Sequence, residues 1–209
     1  MRHHRVRPMR VVLTAGIAAL GVVGVWIGAA QAQPTPQTTQ LRVRNPELAR
    51  GRYLVTVGSC NDCHTPLKMG PKGPEPEMSR MLSGHPQQMV MPKPPALAPD
   101  APWNWSGAAT STAFSGPFGI SYARNLTPDK KTGLGSWTEK QFDEAMRSGR
   151  HLGLANGRPI LPPMPWRSVG ELTDQDMHAV WLYLQSIPPI ENQSPESIPA
   201  PPPPPSAPH

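Results

Sequence analysis

The chain has 209 residues, of which 37% are apolar, 6% are aromatic and 30 are proline, a composition that allows one domain, or one domain with tails, around a thin core. The net charge of +6 does not mark a nucleic-acid-binding face. Arg2, Arg5, Arg7 and Arg10 all precede the first acidic residue, Glu47, and removing these four from the 20 Lys and Arg leaves 16 basic against 14 acidic side chains.

The basic start is followed by an uncharged stretch, residues 11–30, and by Ala30-Gln31-Ala32, a small-residue cleavage pattern. Residues 1–32 are therefore expected to be an export signal, cleaved after the small residues or kept as an inner-membrane anchor through 11–30. Either outcome places the rest of the chain on the periplasmic side. Residues 33–44, rich in Pro, Thr and Gln, are expected to be a flexible linker.

Asn45-Pro46-Glu47 carries the marks of a helix start: a capping side chain, proline at the first helical position, and an acid at the positive dipole end. The spacing predicts a helix to about Val57, stopped by Gly58. Leu48, Gly51 and Val55 share one face, and Gly51 suits a close helix crossing.

Cys60-Asn61-Asp62-Cys63-His64 follows at once and holds both cysteines of the chain. C-x-x-C-H is the signature of covalent c-type haem attachment. Two thiols three residues apart lie about one helical turn from each other and reach one edge of a porphyrin as thioethers. His64 then sits where its imidazole reaches the iron as proximal ligand. A redox disulfide wants a βαβ context that is missing, and a zinc site wants two further ligands at matching spacing. One haem c, buried, would supply much of the apolar surface that the composition lacks.

Residues 65–112 are expected to be irregular, with a Pro- and Met-rich insertion over 74–112. Its Met78, Met81, His85, Met89 and Met91 favour loop packing over Cu(I) ligation, because no Met spacing repeats. Trp103 and Trp105 suit tucking this loop onto the domain. Thr138 and Gln141 predict a capping box, with Trp137 and Phe142 as a hydrophobic staple, opening a second helix that Gly149 stops. Thr173 caps a third helix, on which Met177, Val180, Trp181 and Leu184 recur at i, i+3, i+4 and i+7. Ile187-Pro188-Pro189 ends it, and residues 191–209 are expected to be a Pro-rich disordered tail.

Between the second and third helices, Leu161-Pro162-Pro163-Met164-Pro165-Trp166 offers a methionine in a proline-stiffened loop. Met164 is the expected sixth iron ligand, its soft sulfur favouring the reduced metal. His85, His151, Met146 and Met91 are its competitors.

In this order of elements the chain resembles the class I cytochromes c, which implies an all-α fold of three or more helices around a covalent haem, with long loops. Gly51 and Tyr183, with Trp181 a second candidate, correspond to the crossing of first and last helices in that family. Asn125-Leu126-Thr127-Pro128-Asp129, Thr132-Gly133-Leu134-Gly135-Ser136-Trp137, the Pro-Met-Pro loop and Tyr183-Leu184 resemble cytochrome c subunits of periplasmic dehydrogenases of alcohols, aldehydes or sugar acids. The resemblance covers residues 46–190, within a domain set at 45–190. Those subunits often carry three haem motifs, whereas this chain has one. The resemblance also implies Tyr122, Arg124, Asn125 and Trp137 as contacts of the haem propionates, for which a cation and N–H donors are suited.

These readings converge on a periplasmic electron carrier rather than an enzyme. Its expected partner is a redox protein: a dehydrogenase, a quinol-oxidising complex or a terminal oxidase. A subunit wiring a dehydrogenase to the respiratory chain is one alternative. A haem enzyme with an open iron site, which requires Met164 not to bind, is the other.

Overall fold

The computed structural model describes residues 45–95 and 104–201. The expected leader, its 11–30 anchor, the 33–44 linker, Trp103 and the last eight residues of the expected tail lie outside them. Among the described residues no helix is long and apolar enough to cross a membrane.

Helix α1 spans Pro46–Val57, and the Asn45 side chain accepts from the Glu47 and Leu48 N–H groups, as the sequence predicts. Helix α5 spans Asp174–Ser186, capped by the Thr173 hydroxyl accepting from Asp176 N–H. The two cross at Gly51. A Cβ there would overlap the Ala179 carbonyl and crowd the Tyr183 Cβ, so only glycine permits the approach. Met177, Val180, Trp181 and Leu184 are all buried, giving the predicted stripe. Helix α3, Glu139–Ser148, opens on a complete Thr138–Gln141 capping box and ends at Gly149 in the left-handed region. Its Phe142 packs against Trp181, ring centroids 5.5 Å apart. Val55, Leu82, Leu134 and Ile187 complete one core between these helices. Two short helices, α2 at Cys60–His64 and α4 at Trp166–Gly170, flank that core in sequence.

The expected all-α class is met only in part. Strands β1 (Leu67–Gly70) and β2 (Gly73–Pro76) form an antiparallel hairpin. Strands β3 (Ser106–Gly107), β4 (Ala113–Gly116), β5 (Gly119–Tyr122) and β6 (Ile198–Pro199) form a second antiparallel sheet in that order. The described residues of 65–112, which are 65–95 and 104–112, correspondingly carry more regular structure than expected. Leu82, Ser83 and His85 are fully buried, and the segment is tied down by Gly84 N–H donating to the His64 carbonyl and Leu126 N–H to the Leu82 carbonyl. Of the methionines there, Met78 and Met89 are exposed and Met81 packs against the core.

The expected disordered tail is corrected over residues 191–201. Asn192 is buried, its amide donating to the Ser83 and His85 carbonyls at 2.7 and 2.8 Å. Ser194 is buried as well, and β6 adds to the edge of β5. Proline content makes this segment extended, but it does not prevent an extended segment from docking through other residues' polar side chains. The ordered domain therefore reaches beyond the expected boundary at 190.

Candidate functional site

A cleft of about 390 Å³ opens between α2, the segment 121–126, α3 and the loop before α4. All eight predicted site residues line it: Cys60, Cys63, His64, Tyr122, Arg124, Asn125, Trp137 and Met164. Its walls are mostly apolar, with Leu126, Leu134, Phe142, Leu161 and Val169 among them. Its size falls in the range of cofactor sites.

Helix α2 is preceded by Ser59 in the left-handed region, and one turn separates Cys60 from Cys63. Both thiols are free and half-buried. Burial pushes the Cys60 thiol up to about 11, and burial together with Asp62 raises Cys63, so both are neutral. His64 is buried at the end of α2, and burial lowers its pKa. Its Nδ1 lies 2.7 Å from the Arg124 backbone carbonyl. A carbonyl only accepts, so Nδ1 carries the proton and Nε2 keeps its lone pair. This is the tautomer that a metal-binding histidine held by an outer partner adopts. Two thiols one turn apart, a neutral imidazole with a free Nε2 and an apolar cleft fit a covalently bound haem.

Met164 is half-buried in the loop that leaves α3 at Gly149. That loop is fastened by Ile160 N–H donating to the Gly149 carbonyl and His151 N–H to the Arg158 carbonyl. Leu161 is buried, and the Trp166 ring lies against Gly149 where any Cβ would collide with it. Among the competitors, Met146 and His151 also line the cleft. Met146 packs against the core, and His151 meets the Trp137 ring edge-on, centroids 5.1 Å apart. His85 does not line it. Its Nε2–H donates to the Met89 carbonyl and its Nδ1 faces the Thr112 hydroxyl, so both nitrogens are engaged. Met91 lines a separate, smaller cleft.

The polar edge is richer than the sequence suggests. Arg158, His151 and Ser197 line the cleft beside Arg124. Asn125, one expected propionate contact, is committed to the fold: its side-chain amide donates to Thr132 Oγ1 and the Ile190 carbonyl, and its oxygen accepts from Thr127. Burial first, then the Arg158 and Arg124 charges, lower the His151 pKa, which keeps this imidazole neutral. Arg158 stands only six residues before Met164, and that proximity is the one signal the sequence offers for it.

The family model for cytochrome c matches residues 48–188. The chain is similar to the fructose dehydrogenase cytochrome subunit of Gluconobacter japonicus, 27% identical over 88% of this chain and 29% of the relative. It is 31% identical to a nicotinate dehydrogenase subunit of Pseudomonas putida over 71% of this chain and 9% of the relative. A diheme cytochrome c-type protein of Cereibacter sphaeroides is 25% identical over 88% of this chain and 50% of that relative. The chain thus spans less than a third of the length of the first two relatives.

Proposed function

The chain belongs to the cytochrome c family, and from that premise we propose that it is a one-electron carrier built on a single haem c. Membership in the family implies a covalently bound haem. That there is one rests on the single C-x-x-C-H among 209 residues. Cys60 and Cys63 would hold the haem as thioethers, and His64 and Met164 would offer a nitrogen and a sulfur to its iron. The observation that carries this reading is the convergence of both thiols, the Nε2-free imidazole and the proline-fenced thioether on one apolar cleft.

When bound, the haem supplies a metal that gains or loses one electron without atom transfer. The chain's own residues do the rest. The Arg124 carbonyl orients the His64 ring and raises its basicity. The apolar walls exclude water, and the Met164 sulfur would favour the reduced metal and a potential above that of two histidines. Tyr122, Arg124 and Trp137 would meet the haem carboxylates, with Arg158 added to that set. With the His64 imidazole and the Met164 thioether both given to the iron, the chain would act as carrier rather than enzyme.

We place the carrier in the periplasm, fed by a dehydrogenase subunit and discharging to the respiratory chain. Support comes from the relatives that are cytochrome subunits of fructose, alcohol and gluconate dehydrogenases. The leader and anchor expected over residues 1–32 agree with it. The test is the spectrum of exported protein, oxidised and reduced, with pyridine displacement. Two thioethers and a sulfur-to-iron charge-transfer band are expected; a high-spin ferric spectrum would overturn the Met164 assignment.

A further inference from the structure

One carboxylate meets this cleft from a part of the chain that the reading above does not use. Glu196 lies on the segment that docks after α5. Its Oε1 is 3.0 Å from Arg124 Nη2, and its Oε2 is 3.0 Å from Arg158 Nε. Arg124 Nη1 donates to the Ser194 and Pro195 carbonyls, both at 2.9 Å. Ser197, the next residue, lines the cleft, and its hydroxyl accepts from Tyr122 N–H at 3.1 Å. One carboxylate therefore bridges two guanidinium groups that both line the cleft. Burial and the neighbouring Arg124 charge lower the Arg158 pKa while Glu196 opposes them, as expected if the carboxylate relieves repulsion between the two cations.

We propose that Glu196 is a positioning residue of the cofactor's anion site, sharing Arg124 and Arg158 with the haem carboxylates, holding the reduction potential down and latching residues 190–201 against the cleft. The proposal rests on the reading that this cleft binds haem with its carboxylates at these arginines. Reduction adds one negative charge to the cofactor. Two guanidinium groups favour that charge, and Glu196 cancels part of their field. Both arginine side chains are 27% exposed and Glu196 is 62% exposed, so solvent screens the two guanidinium groups less than it would a surface pair and screens the carboxylate in part, which makes the expected shift a modest one.

The experiment is a redox titration of the holoprotein. Glu196→Gln should keep covalent haem and its spectrum, move the oxidised–reduced equilibrium constant severalfold toward the reduced form, and speed protease cleavage within 190–201. Glu196→Asp should restore the lower potential in part, and Arg158→Gln should shift it the opposite way. Glu191→Gln removes a carboxylate of the same segment, paired instead with Lys131 at 3.4 Å, and should leave the potential unchanged. An unshifted potential in Glu196→Gln with haem attached, or an equal shift in Glu191→Gln, would overturn the inference. Parent protein without covalent haem would instead overturn the reading beneath it.

Discussion

His64 shows how much a single side chain depends on a distant backbone group. Its ring is oriented by the carbonyl of Arg124, sixty positions along the chain. The C-x-x-C-H pattern makes the imidazole visible in the sequence, because thiol spacing and ligand adjacency are local requirements. The partner on Nδ1 is not visible there, since any backbone carbonyl looks alike. The same holds for Arg158 and Glu196, whose pairing exists only once the chain has closed. Met164 is singled out by its prolines, and its loop lines the same cleft. Met164→Ala should leave haem covalently attached, lower the potential and admit carbon monoxide to the iron; carbon monoxide binding measured by flash photolysis checks this, and an unreactive variant counts against ligation. Cys63→Ser should leave at most one thioether, read from the reduced pyridine spectrum.

Helices are legible from capping chemistry, and the caps observed at Asn45, Thr138 and Thr173 are those the sequence predicts. The strands escape such a reading because they are two to four residues long, too short for alternation to register. The helix pair α1–α5 depends on the bare Cα of Gly51. Gly51→Ala must push the backbones apart and should cost about 1–3 kcal/mol, in the range of overpacked cores; urea unfolding measures it. Helices α3 and α5 are also joined by His178 Nδ1 and Glu139 Oε1, 2.6 Å apart. The Glu139 hydrogen bond raises the His178 pKa above its ordinary 6.5. A histidine with a raised folded pKa stabilises fully below its unfolded value, and that contribution fades as pH rises through the folded one. The parent should thus lose stability as pH climbs above about 6.5, and Glu139→Gln should flatten this slope, as thermal melts across pH would record.

At the scale of the whole molecule, composition implies a thin core filled out by a cofactor, and the apolar cleft beside the helical core agrees with that picture. Composition misleads at the segment after α5, where proline suggests disorder while Asn192 reaches into the interior. Asn192→Ala would strand the buried carbonyl of Ser83 and leave that of His85 with only the Ser194 hydroxyl, and should cost about 1–3 kcal/mol, measured by denaturant unfolding. The docking of this segment also has a consequence in time. A polypeptide that crosses a membrane amino end first presents its two thiols and proximal imidazole long before Glu196 emerges. On the proposed export route the twin guanidinium groups would stand without their latch until Glu196 emerges, so the thiols and the imidazole would be available to a porphyrin before the segment that closes on them.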